Sequence, residues 1–191
     1  AAAEKAKEEF LLGLGDSRGK ELLHLAEQRA RLSARAARIR EAQRYGISAY
    51  TSIEELNAEL LGAKSASNLD VLGGHVLATA LKRSRVDNAR SIAEQVEDHL
   101  HCFEAELASI GVAGEILPDL DINIPHHFAD DLLDCLIIDW RVHGEIKETI
   151  ARTREAMELI RELTEHLDTK VKRLAEESEE LAARRTKLLR S

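Results

Sequence analysis

The feature that most constrains this chain is a stripe near its C-terminus. Ile146, Ile150, Thr153, Met157, Ile160, Thr164, Leu167, Val171, Leu174, Ser178, Leu181, Arg185 and Leu188 recur in alternating steps of four and three. A 3.5-residue period held for about six heptads is the mark of a coiled coil. Neither Pro nor Gly interrupts it. A helix of this length cannot bury its stripe alone, so the rest of the chain is read first as a search for its partner.

A second stripe with the same steps runs Arg18, Leu22, Leu25, Arg29, Leu32, Ala36, Ile39, Gln43. Paired antiparallel with Gly46 opposite Ile146, it sets Leu25 against Leu167, Leu32 against Ile160, Leu22 against Val171, Ala36 against Met157 and Leu11 against Leu181. In that register Arg31, Arg35 and Arg38 face Glu162, Glu158 and Glu155, and Glu21 lies near Lys170 and Lys172. Such exposed pairs choose a register more than they add stability. The expected interaction seam is therefore Leu22, Leu25, Leu32, Ile39, Met157, Ile160, Leu167, Val171, Leu174 and Leu181. Pairing of the C-terminal helix with a copy of itself is the competing arrangement.

Composition supports long helices. Charged residues are 32% of the chain, aromatics only 3%, and there are two prolines. A sheet protein would want more β-branched and aromatic residues. The fold expected is all-α: a long antiparallel two-helix coiled coil made by the terminal helices, with an inserted compact helical bundle. The arms are residues 1–46 and 146–191, and the head is 47–145.

Within the first arm, Gly13, Gly15 and Gly19 predict a bend, with Asp16 or Ser17 capping the restart. The spacing fails the phosphate-loop pattern, since Lys20 is followed by Glu21. In the head, Ser52 and Glu55 form a capping box for a helix that should end near Gly62, and Asn68 caps a second helix. Asp87 caps a third, whose stripe is Ile92, Val96, Leu100, Phe103, Leu107 and Ile110, with Gly111 closing it. A loop spans 112–125, and the apolar run 128–140 is expected to form the head's central helix.

Three function classes follow. The first is a non-catalytic coiled-coil structural or interaction module, a scaffold, dimerisation or hinge-like segment of a larger assembly. Its layout is similar to the arm-and-hinge arrangement of large coiled-coil ATPases, without a shared motif. A protein partner or self-association is expected, and a start on Ala1 suits an excised or processed segment.

The second is a metal- or ligand-binding bundle. His127, Asp131 and Asp134 share one helical face beside His126, a His/carboxylate set compatible with a metal. Acidic residues in a first helical turn also simply face the positive end of the helix dipole, and that reading is preferred. Asp98 and His101, or Glu21 and His24, are weaker fragments of a carboxylate-bridged site.

The third is nucleic-acid binding through the basic 29–44 face. It is disfavoured by the net charge of -8, by the opposing glutamates and by the lack of interleaved aromatics. No motif identifies a reaction, and neither catalytic residues nor a cofactor is expected. No apolar run is long enough for a membrane helix. Cys102 and Cys135, far apart and flanked by apolar residues, suggest buried free thiols in a reducing, cytoplasmic compartment.

Overall fold

The computed structural model describes residues 17–70, 75–112, 129–130 and 146–190, all of them helical. The elements are α1 (Ser17–Asp70), α2 (His75–Val112) and α3 (Ile146–Arg190). The fold is all-α, and its N- and C-terminal helices pack against each other. None of the described helices is long and apolar enough to cross a membrane.

The first correction concerns where helices stop. α1 does not end at Gly46, restart at Ser52, end at Gly62 or restart at Asn68; it is continuous for 54 residues. A capping box works only where the chain enters a helix. Residues 47–51 are already helical, so the Ser52 hydroxyl turns back and donates to the Ser48 carbonyl at 3.0 Å. Thr51 and Ser65 do the same, donating to Ile47 and Leu61 carbonyls at 2.9 Å. This back-bonding satisfies hydroxyls that would otherwise compete with the helix. Asp87 likewise lies inside α2, which begins at His75.

Gly46 survives mid-helix because something needs its space. A Cβ there would lie 2.6 Å from Thr164 Cγ2 and 2.9 Å from Phe103 Cε2. The missing side chain thus admits a neighbouring helix on each of two sides, worth more than the roughly 1 kcal/mol of helix propensity that glycine forfeits.

The chain divides into two compact units: Ala1–Arg40 with Leu167–Ser191, and Glu41–His166. In the second, α1, α2 and α3 each contribute a buried row. Ile53, Leu56 and Leu60 come from α1, Val96, Leu100, Phe103, Leu107 and Ile110 from α2, and Ile150, Ala156, Ile160 and Leu163 from α3. The predicted α2 stripe is buried except Ile92, which is half-buried. The expected central helix of the head falls almost wholly outside the described residues. Of it, Ala129 is buried, and its backbone N–H donates to Glu104 Oε1 at 3.5 Å.

Candidate functional site: the paired-helix seam

In the first unit, segment 17–40 of α1 lies along segment 167–190 of α3. Leu22 packs with Leu189, and partly buried Leu188 adjoins them. Beside this contact Arg184 donates to Glu21 at 2.6 Å. Leu25, Ala36 and Ile39 on one segment and Leu167, Val171 and Leu174 on the other are also buried. Leu32 and Leu181 are half-buried.

The register differs from the one charge matching suggested. Leu22 meets Leu189 rather than Val171, and Glu21 meets Arg184 rather than Lys170 or Lys172. The second unit shows the same displacement independently. There Gly46 faces Thr164 rather than Ile146, and Asn57 pairs with Thr153. Leu25 therefore does not sit beside Leu167. Both units are displaced by eighteen positions, about five whole turns of 3.6 residues. The same stripe faces inward in either register, so the apolar pattern cannot choose between them. The exposed charges were too weak to do so.

In this register Glu162, Glu158 and Glu155 do not stand opposite Arg31, Arg35 and Arg38. Glu158 bonds instead to Arg161 of its own helix, and Arg161 donates to Glu165 at 2.6 Å. The Arg161 guanidinium holds the Glu158 carboxyl below its ordinary range, and the two carboxylates push Arg161 up. Glu41 likewise raises Arg44, which also lies 4.8 Å from the Tyr45 ring centroid.

Polar side chains inside the second unit are tied to one another. Ser52 Oγ lies 3.0 Å from the Ser48 carbonyl and 2.6 Å from His99 Nδ1; its one proton goes to either, and it accepts from His99 in the tautomer whose Nδ1 is protonated. The buried Thr153 hydroxyl lies 2.9 Å from the Ile150 carbonyl and 3.1 Å from Asn57 Oδ1, and donates to one of them at a time. Arg85 Nη1 donates to both Glu59 carboxylate oxygens at 3.0 Å. These contacts use His, Ser, Thr and Asn to fix helix positions. His99 Nδ1 is engaged by Ser52, and among the described residues no third group orients the imidazole from its other nitrogen.

The weak metal candidates His126, His127, Asp131 and Asp134 lie outside the described residues. So do Cys135 and Leu11. Among the described residues no group of three or more His, Cys, Asp or Glu side chains is placed to hold a metal. Glu21 of the Glu21/His24 fragment is taken by Arg184, and Asp98 and His101 are both exposed. Cys102 is a free but exposed thiol, contrary to expectation. It precedes Phe103, and adjacent residues point about 100° apart on a helix, so burying one turns the other outward.

Sequence reasoning missed the Gly46, Phe103 and Thr164 crossing and the Ser52 to His99 bond. A glycine inside an otherwise uninterrupted helical pattern was the available signal for the first. Exposed apolar side chains are scattered: Leu23, Ile47, Leu81 and Leu159. No protein-family profile, curated protein or solved structure matches the chain.

Proposed function

We propose that the chain is a non-catalytic coiled-coil interaction module, in which two long helices hold each other at fixed register and present their outer faces to a protein partner or to a second copy. The observation that supports this most is the use of helix α3. Its seam positions from Ile150 to Val171 are buried or half-buried in turn, and its polar seam residues Thr153 and Thr164 are satisfied within the fold. Side chains that could carry chemistry are spent on positioning, as an interaction scaffold requires.

The test is oxidation of the variant Leu22→Cys/Leu189→Cys, made with Cys102→Ser and Cys135→Ser, alongside light scattering on the unaltered chain. An intramolecular crosslink in a species of defined mass is the expected result. Crosslinks that form only between chains would transfer the pairing to self-association. Failure to crosslink at all would remove the basis of the reading.

A further inference from the structure

The charge match legible in the sequence goes unused within the chain. Arg31 and Arg38 are seven residues apart on α1, which places them within about 20° of each other around the helix, and both are exposed. Glu155 and Glu162 repeat that spacing on α3 and are exposed as well. None of these four side chains makes a hydrogen bond or ion pair with another described residue. Their neighbours do: Arg161 holds both Glu158 and Glu165.

Between each charged pair sits a residue that can pack. Ala34, three residues after Arg31, is exposed, and Leu159, three before Glu162, is a large apolar side chain left 37% exposed. Laid antiparallel, the two faces match in three consecutive layers: Arg31 with Glu162, Ala34 with Leu159 and Arg38 with Glu155. Glu27 and His166, both exposed, continue the row by one more turn. These layers do not form inside one molecule, because the Leu22 contact with Leu189 and the Gly46 contact with Thr164 hold a register about five helical turns away.

We propose that the two faces dock between copies of this chain, the Arg31/Arg38 face of one on the Glu155/Glu162 face of another. This deepens the interaction-module reading by assigning its partner as a second copy, and rests on that reading only for the helical pairing that leaves both faces outward. The match itself favours a second copy over an unrelated protein. Opposite charges recur at the same seven-residue interval, and the small residue of one face is level with the bulky apolar residue of the other. Either face set against its own kind is repelled. The ion pairs are exposed, so they choose partner and register more than they add strength. Half-dissociation is therefore expected on the order of 100 μM, with strong salt dependence.

The experiment is sedimentation equilibrium on the full chain from about 10 μM to about 1 mM, at about 50 mM and about 500 mM salt. Reducing conditions are kept, since Cys102 is an exposed free thiol. Mass should rise with concentration at the lower salt and stay near that of one chain at the higher. Arg31→Glu/Arg38→Glu and Glu155→Arg/Glu162→Arg should each weaken association at least about tenfold, because each sets like charges face to face. An equimolar mixture of the two variants should associate again, as the acidic α1 face of the first then meets the basic α3 face of the second. Arg40→Glu, about 200° around α1 from Arg38, should change association less than about twofold. Should a swap cost helicity, glutamine at the same positions takes its place, weakening association about threefold or more. A single-chain mass at about 1 mM in low salt overturns the proposal. So does association indifferent to both swaps, or a mixture no more associated than its components. The Leu22→Cys/Leu189→Cys crosslink reports the pairing within each chain, so failure of this contact and failure of the module are distinguishable.

Discussion

Segment 146–166 of α3 and segment 171–189 belong to one unbroken helix but are buried differently. In the first, Thr149, Ile150, Thr153, Ala156, Ile160 and Leu163 are all buried, two adjoining rows on the helix surface. In the second, Val171, Leu174 and Leu189 are buried, while Ser178, Leu181, Ala182, Arg185, Thr186 and Leu188 remain half-buried. Two rows are what a helix needs to meet two neighbours, and one row suffices for a single partner. The contrast extends to charge, the Glu41–His166 unit being strongly acidic and the other basic. A continuous helix can thus serve two packing environments when the width of its apolar stripe changes along its length.

The largest effect should come from truncating where three helices converge. Phe103→Ala is expected to cost about 3–5 kcal/mol, as for fully buried aromatics. Leu25→Ala, in the single-row seam, should cost about 2–3 kcal/mol. Hydrogen exchange on that variant should show protection lost in 17–40 and 167–190 before 41–166. Simultaneous loss would break the distinction between the units.

Two glycines sharpen the comparison. Gly46→Ala should destabilise by about 1–3 kcal/mol by denaturant titration despite better helix propensity, because its methyl would enter Thr164 and Phe103. At Gly62 the added methyl would meet only the Arg85 side chain at 3.3 Å, a flexible neighbour. Gly62→Ala should therefore be neutral or stabilising by up to about 1 kcal/mol.

In the basic unit, Arg29 places its Nε in a buried position without a hydrogen-bond partner. Arg29→Leu should stabilise by about 1 kcal/mol in thermal melts, while loosening the register that a polar seam residue helps specify.

The smallest effect is titrational. Hydrogen bonding to Arg161 lowers the Glu158 pKa in the folded chain. Its contribution to stability is present above the unfolded value of about 4.3 and is lost as pH falls through the folded value. NMR titration should give a Glu158 midpoint below the ordinary one, returning to it in Arg161→Gln. An unchanged midpoint would remove this pair from the account.

How much was legible can be argued from particular positions. Leu22, Leu25, Ile39, Ile160, Leu167, Val171 and Leu174 were identifiable as inward-facing from spacing alone, and all are buried. Ser52, Asn68 and Asp87 read as helix starts because capping preference is a local statistic. It is overridden when the preceding residues are already helical and the hydroxyl finds a carbonyl or, for Ser52, an imidazole from another helix. The Ser52 to His99 bond joins residues 47 positions apart and leaves no trace in either neighbourhood.

By itself the sequence determined that this protein is helical, which face of each long helix turns inward, and that the first and last helices pair. Those properties follow from a period of about 3.5 to 3.6 residues repeated along the chain. Tertiary structure decided the register and, through it, which charges stand together. A displacement of five whole turns leaves the inward face unchanged, so a periodic pattern is degenerate to it. Only contacts that occur once, Gly46 against Phe103 and Thr164 or Asn57 against Thr153, lift that degeneracy.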